Sequence, residues 1–244
     1  MKEVTSIKEL KQGLTNNEDI SIQNDLDLCS SDVEWFDTSS YDKVVDEDNI
    51  YTKVLDGNGY TIKNLNASLI GELYGGGTVK NLTLDGIQID NKFESRTGGV
   101  CLVNKGIIDN CSIENSKIEG AEYVGGFCQE NSGKIRNCSV ENTTITGKNV
   151  GGICAENNMN GEIVSSTVEN NWIDGDYVGG ICVENSDSKI VKSTVSNVDL
   201  INETVEVGGI AYDNVKGSTI INCTVGSINT QRLGAIAFSN EKSD

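Results

Sequence analysis

Carboxylates recur at one fixed place in this sequence of 244 residues. Each stands five residues after the first glycine of a Gly-Gly pair, and the four are Glu130, Glu156, Glu184 and Asp213. Like charges about one strand spacing apart repel each other, so their repetition invites a chemical reason. Carboxylate oxygens are the ligands that Ca²⁺ prefers, which makes these residues candidate Ca²⁺ ligands between repeats. The alternative is an acidic face turned toward water. No other cofactor is predicted.

A second candidate site combines aromatic and polar side chains. Its members are Tyr123, Asn149, Trp172, Asp174, Asp176 and Tyr177. Tyr123 and Tyr177 hold the same place two repeats apart, and Asn149 holds that place in the repeat between them. Aromatic rings flanked by Asn and Asp can stack on sugars, so the group predicts a face that binds glycan. Exposed single aromatic residues are also common without any function.

Residues for catalysis are scarce. The chain has no His, and its three arginines, Arg96, Arg136 and Arg232, are scattered. A general base or a substrate clamp is therefore hard to assemble, and we predict no catalytic residues. Paired carboxylates keep a polysaccharide lyase or hydrolase open as an alternative. No Cys-x-x-Cys spacing is present, so a zinc site lacks its usual ligands.

The elements that position these residues follow from an internal repeat. The first glycine of each repeat lies at 98, 125, 151, 179, 208 and 234, which gives steps of 26 to 29 residues. A fixed period of this size without a helical pattern predicts a β-solenoid. We expect an all-β, right-handed parallel β-helix with three short strands per coil and a small N-terminal α+β cap.

Two regions are predicted. Residues 1–66 form the cap, with a helix over about 6–14, short strands, and an acidic loop over 30–50 that contains Trp35 and Phe36. Residues 67–244 form the repeats, of which the last coil is incomplete. We expect a segment of a longer exported protein.

Residues at equal places in successive repeats predict stacked columns. One column of β-branched residues is expected to face inward and comprises Ile108, Ile135, Ile163, Ile190 and Ile220. A ladder of asparagines at turns comprises Asn104, Asn131, Asn157, Asn185 and Asn214, and a second set comprises Asn115, Asn142, Asn170 and Asn197. A third column comprises Cys101, Cys128, Cys154 and Cys182 and continues as Ala. Replacement by Ala indicates small buried thiols, with disulfides or a metal as the alternatives.

The net charge of the chain restricts the classes of binding partner. The formal net charge is −18, which disfavours nucleic acid and anionic membranes. No run of 18 or more apolar residues occurs, so membrane insertion is not expected. We expect a monomer in isolation.

One stretch carries a resemblance to a known family. It runs Leu55-Asp56-Gly57-Asn58-Gly59-Tyr60-Thr61-Ile62-Lys63-Asn64-Leu65 and is followed by Leu69-Ile70-Gly71. This stretch and the Val-Gly-Gly-Ile openings resemble the GLUG-type repeats of Gram-positive surface and secreted proteins. The later coils depart from that motif by placing Cys where it often has a second Val-Gly. The resemblance implies a right-handed parallel β-helix on an exported cell-surface protein, and it implies no catalytic site.

These observations lead to a functional hypothesis. We predict a non-catalytic, adhesin-like or scaffold module, extracellular or on the cell surface, that contacts a glycan or a host protein through an outer face of the solenoid. The alternatives are the polysaccharide lyase or hydrolase and a passive spacer that carries another domain.

Overall fold

The computed structural model describes residues 1–31, 33, 35, 50–201, 207–215, 217–230, 233–234 and 236–240. Most of the predicted acidic loop, including Phe36, lies outside the described residues. Trp35 is described and buried, and its indole Nε1 donates a hydrogen bond to the Ser68 carbonyl at 3.4 Å.

Four parallel sheets run along the solenoid, and we number them in the order in which the chain visits them within one coil. Sheet 1 contains Arg96–Gly98, Tyr123–Gly125, Asn149–Gly151, Tyr177–Gly179, Val207–Gly208 and Leu233–Gly234. Sheet 2 contains Ile50–Tyr51, Glu72–Leu73, Val103–Asn104, Cys128–Asn131, Cys154–Asn157, Cys182–Ser186, Ala211–Val215 and Ala237–Asn240.

Sheet 3 is the widest and has two rows of strands. One row is Lys2–Val4, Ile20–Ile22, Val54–Asp56, Thr78–Asp85, Ile107–Glu114, Lys134–Arg136, Glu162–Val164, Lys189–Val191 and Thr219–Ile221. The other adds Leu26–Asp27, Thr61–Lys63, Ser139–Glu141, Thr167–Glu169, Thr194–Ser196 and Thr224–Val225. Sheet 4 contains Gln88–Asn91, Lys117–Gly120, Thr144–Thr146, Trp172–Asp174, Val198–Ile201 and Ile228–Asn229.

The parallel β-solenoid predicted from the repeat is confirmed, and its strand count per coil is corrected. The coil over residues 123–146, which is fully described, contains five strands instead of three. Asn137 has a φ of 55° and divides one predicted strand in two, because left-handed backbone interrupts the ladder. The Gly-Gly pair divides another. The predicted right hand stays a prediction.

The predicted inward column forms as expected. Ile108 pairs in register with Ile135, and the pairing continues through Ile163, Ile190 and Ile220. The first four are fully buried and Ile220 is half-buried. One continuous apolar core therefore extends along the solenoid, as stacked β-branched residues require.

The N-terminal region joins the same sheet. The helix Ile7–Thr15 begins after Ser6, whose Oγ accepts a hydrogen bond from the Glu9 amide at 3.3 Å, and it ends at Thr15. A single 3₁₀ turn follows at Leu28–Ser30. The strand Ile20–Ile22 pairs with Val54–Asp56, so the hydrogen bonding of sheet 3 continues into the predicted cap. The division at residue 66 stays a prediction. Among the described residues, no helix combines the length and apolarity that a membrane span needs.

A ladder of buried asparagine amides runs along sheet 2. Each Nδ2 donates to the Oδ1 of the next coil, at 2.7 Å from Asn104 to Asn131, 2.7 Å from Asn131 to Asn157, 2.8 Å from Asn157 to Asn185, and 2.7 Å from Asn185 to Asn214. The chain of bonds satisfies groups that would otherwise be costly to bury. The second asparagine set, Asn115, Asn142, Asn170 and Asn197, has left-handed backbone, whereas the residues of the ladder do not.

The cysteine column consists of small buried thiols. Cys101, Cys128, Cys154 and Cys182 are fully buried and free. Burial raises the pKa of the Cys154 thiol. A buried, protonated thiol is a poor nucleophile and metal ligand, and these four side chains contribute to the packed core.

The Gly-Gly pair sets the corner between sheets 1 and 2. A methyl group on Gly151 would overlap the carbonyl oxygen of Cys154 within the same coil and approach the Cys182 Cα of the next coil to 2.8 Å. Only glycine lets the two strands approach this closely.

Replacing Gly151 with Ala is expected to reduce the free energy of unfolding by about 3 kcal/mol, because the backbone on both sides must move. Chemical denaturation measures the change. Gly75→Ala is the matched control, since a methyl group there meets no atom within 4 Å, and it is expected to stay within about 0.5 kcal/mol of wild type. Equal stability of the two variants would contradict the corner geometry.

Replacing Asn157 with Ala breaks the ladder at its middle. The buried Nδ2 of Asn131 then loses its acceptor, and we expect a loss of about 2–3 kcal/mol in the free energy of unfolding. The exposed residue Asn66 provides the control variant Asn66→Ala, for which a change below about 0.5 kcal/mol is expected. A loss at Asn157 no larger than at Asn66 would show that the amide ladder does not stabilise the fold.

Candidate functional site

Sheets 1 and 2 enclose a cleft on the outside of the Gly-Gly corner, with a volume of about 210 Å³. We call it the corner cleft. Its lining comprises the tyrosines Tyr123, Tyr177 and Tyr212, the carboxylates of Glu156, Glu184 and Asp213, and the side chains of Asn149 and Val183. Residues from four successive coils therefore meet in one concave site.

The aromatic wall belongs mainly to sheet 1. Tyr123 pairs in register with Asn149, and Asn149 with Tyr177. The smaller Asn149 thus separates two tyrosines by two strand spacings, roughly 10 Å. The Tyr177 ring, 38% exposed, meets the Tyr212 ring edge to face with centroids 5.3 Å apart. That contact fixes the ring direction at one end of the cleft.

The acidic wall belongs to sheet 2. Glu130, Glu156, Glu184 and Asp213 follow one another in register. Burial raises the pKa of the Glu156 carboxyl, and repulsion from Glu184 and Glu130 raises it further. A hydrogen bond from Gln129 Nε2 to Glu156 Oε2, 2.6 Å long, acts in the opposite direction.

Gln129 is the buried polar residue beside the cleft. Its side chain is 3% exposed, and within the described part of the chain its Oε1 atom accepts no hydrogen bond. An unpartnered buried carbonyl oxygen costs free energy. Less than 1 Å² of this oxygen is exposed and Gln129 does not line the cleft, so a molecule in the cleft has no direct access to it.

The six residues of the predicted aromatic site do not lie together. Three of them line the corner cleft beside the acidic column, and the other three lie elsewhere. Tyr123, Asn149 and Tyr177 line the corner cleft. Trp172 and Asp174 lie on sheet 4, where Trp172 pairs with Thr144 and Asp199, and exposed Asp176 precedes the strand of Tyr177. None of these three lines the cleft.

Sequence reasoning missed the column formed by the residue that comes directly after each member of the cysteine column. All five members are buried: Leu102, Gln129, Ala155, Val183 and Tyr212. The repeat period places these five residues at equivalent positions, so the sequence could have identified them as a column. The period does not show that the column adjoins a cleft, because that depends on how sheets 1 and 2 meet at the Gly-Gly corner.

The predicted Ca²⁺ ligands form a column along the solenoid. Among the residues that the structure describes, no three Asp, Glu or Cys side chains converge in a way that could hold a metal ion. Glu130, Glu156, Glu184 and Asp213 succeed one another along the solenoid, whereas Ca²⁺ requires six to eight oxygens around one point. The Ca²⁺ site stays a prediction.

A protein-family model described as "Putative pectate lyase-like adhesive domain" matches residues 1–205. The chain belongs to this family. Among curated proteins no match to this adhesive domain was found. The resemblance to GLUG-type repeats implied the same β-solenoid, and the GLUG repeat type itself stays a prediction.

Two solved structures share the fold of this adhesive domain. One is an "IgA1 Protease", with a TM-score of 0.64 and 17% identity over 98% of this chain and 21% of that chain. The other, from Bacteroides ovatus, is described as "a putative immunoglobulin A1 protease", with a TM-score of 0.60 and 17% identity over 97% of this chain and 84% of that chain. The adhesive domain thus spans about a fifth of the first protein, and at this identity the likeness shows the fold alone.

Replacing Glu156 with Gln is expected to stabilise the adhesive domain at neutral pH. The pKa of Glu156 is higher in the folded state than in the unfolded state, so its ionised form opposes folding above that raised pKa. The opposition vanishes as the pH falls below the ordinary pKa of a glutamate. The amide oxygen of the new Gln still accepts the hydrogen bond from Gln129.

Thermal melts across pH measure this effect. We expect the melting temperature to rise by no more than about 2–4 °C at neutral pH, which corresponds to about 1 kcal/mol in a chain of this size, since solvent screens part of the repulsion. The gain should shrink in acid. Glu3→Gln, which removes a charge at an exposed position, is the control, and an equal gain there would attribute the effect to net charge.

Proposed function

We propose that this chain is an extracellular, non-catalytic adhesive module that binds a glycan in the corner cleft. The observation that carries the proposal is the pair of tyrosines, Tyr123 and Tyr177, held two coils apart with the smaller Asn149 between them above a concave floor. The description of the family as an adhesive domain supports it.

The cleft chemistry fits a sugar better than an apolar ligand. Tyrosine rings offer flat apolar faces that stack on a pyranose ring, while Glu184, Asp213 and Asn149 offer oxygens that accept hydrogen bonds from sugar hydroxyls. The span of roughly 10 Å between the tyrosines suits a short oligosaccharide. Such contacts are weak singly, and adhesive proteins reach useful binding through many copies.

Hydrolysis of the glycan is the second candidate, because Glu156 has a raised pKa and neighbours Glu184 in register. The arrangement argues against it. A glycosidase places its two carboxyl groups on opposite sides of the scissile bond, whereas Glu156 and Glu184 stand side by side on sheet 2. Release of reducing ends from an oligosaccharide that binds tests this directly.

The double variant Tyr123→Ala/Tyr177→Ala tests the binding site. We expect glycan affinity to fall about tenfold or more, equivalent to about 1.4 kcal/mol, with the melting temperature nearly unchanged because both rings are partly exposed. Glycan arrays identify the ligand and calorimetry measures the affinity. Trp172→Ala is the matched control, since Trp172 is 45% exposed and lies outside the cleft.

The possible outcomes separate the hypotheses. Loss of binding in the Trp172 variant and not in the double variant would move the site to sheet 4. Failure of the wild-type chain to bind any glycan would overturn the proposal and favour the passive spacer.

A further inference from the structure

Arg96 extends the aromatic column of the corner cleft by one coil. It pairs in register with Tyr123, so the column on sheet 1 runs Arg96, Tyr123, Asn149 and Tyr177. Side chains alternate along a strand, and Arg96 is exposed whereas its neighbour Thr97 is fully buried. The backbone of Arg96 therefore lies about 4.8 Å along the solenoid from that of Tyr123, at the end of the cleft away from Tyr177.

The acidic column of sheet 2 is interrupted in the coil that contains Arg96. Glu72 and Glu130 both pair in register with Val103, which takes the place of a carboxylate there. Residues 96–104, which form this corner, contain no Asp or Glu. Of the two flanking carboxylates, that of Glu72 is paired with the Lys105 ammonium at 3.6 Å. Arg96 thus adds a positive charge in the one coil of this stretch whose facing strand lacks an anion.

The charge of Arg96 acts on the cleft without being consumed by an ion pair. Burial and repulsion from Glu184 and Glu130 raise the pKa of Glu156, and the positive charge of Arg96 lowers it by a smaller amount. Among the described residues, no carboxylate forms an ion pair with Arg96. Its guanidinium, with five N–H donors in a fixed plane, is therefore available to a ligand that enters from the cleft.

We propose that Arg96 binds the carboxylate of an acidic sugar at this end of the corner cleft. The guanidinium donates two parallel N–H bonds to the carboxylate, while the ring of Tyr123 contacts the same sugar. The rest of the glycan runs towards Tyr177, roughly 14 Å from Arg96 along the solenoid. This inference rests on the proposed glycan binding and adds the chemical class of the end sugar.

The distribution of charge gives the glycan one direction in the cleft. A carboxylate at the Tyr177 end would lie beside Glu184, and like charges repel. At the opposite end the same group meets the guanidinium of Arg96. The net charge of −18 matters less than these nearest groups, because physiological salt screens charges beyond about 8 Å.

Matched pairs of ligands test the proposal. Sialic acids and uronic acids both carry such a carboxylate, so each class is measured by calorimetry as a trisaccharide and as the same trisaccharide with its carboxylate converted to a primary amide. We expect the acid of one class to bind wild type about fivefold more tightly than its amide, because only the acid is an anion. In the variant Arg96→Gln, the acid and the amide should bind equally.

Arg136→Gln is the matched control variant. It removes the same charge from an exposed arginine on sheet 3, where Arg136 pairs with Asp109 at 3.0 Å outside the cleft. This variant should retain the fivefold preference of wild type. Loss of the preference in both variants would overturn the proposal and attribute the preference to net charge. A preference that persists in Arg96→Gln would also overturn it.

The remaining outcomes separate this inference from the proposed function. If wild type binds acids and amides equally, the Arg96 inference fails and glycan binding stands. If neither class of acid binds while neutral glycans do, the Arg96 inference fails again. If no glycan binds, the proposed function fails with it.

Discussion

Every coil is hydrogen-bonded in register to the coils above and below it, and the rest of the structure depends on this constraint. Because the pairing is parallel and the repeat is regular, each residue lies about 4.8 Å from its own counterpart. A column of identical side chains is therefore stable only if each one packs against a copy of itself or forms a hydrogen bond with it. Ile and Val meet this condition by dispersion and burial, and small thiols such as Cys128 and Cys154 meet it by volume.

Polar columns meet the same condition in different degrees. An amide carries a donor and an acceptor, so Asn131 donates to Asn157 and Asn157 to Asn185 without any mismatch. A carboxylate carries acceptors alone, so Glu156 and Glu184 cannot satisfy each other. The buried asparagine ladder thus satisfies its own polar groups. The glutamate column depends on other partners, such as the Gln129 Nε2 that donates to Glu156 and the Lys105 ammonium that pairs with Glu72.

The cleft arises where columns are interrupted. Asn149 stands between Tyr123 and Tyr177 in sheet 1 and lines the cleft. Its side chain is smaller than that of tyrosine, so it leaves a concavity that a third tyrosine would fill. The same solenoid occurs in structures named as IgA1 proteases. A shared scaffold does not give a shared function.

The sequence by itself determined the solenoid and its columns, because a repeat of 26 to 29 residues places equivalent residues in register whatever the detailed backbone. It did not determine the five strands per coil, since these depend on local backbone angles such as that of Asn137. It also grouped Trp172 with the tyrosines by proximity along the chain. The tertiary structure separated them and joined Tyr123 and Tyr177 to Glu156 and Glu184 instead. The physical reason is the corner: glycines such as Gly151 allow sheets 1 and 2 to approach each other, and the closeness of two backbones cannot be inferred from a period along one of them.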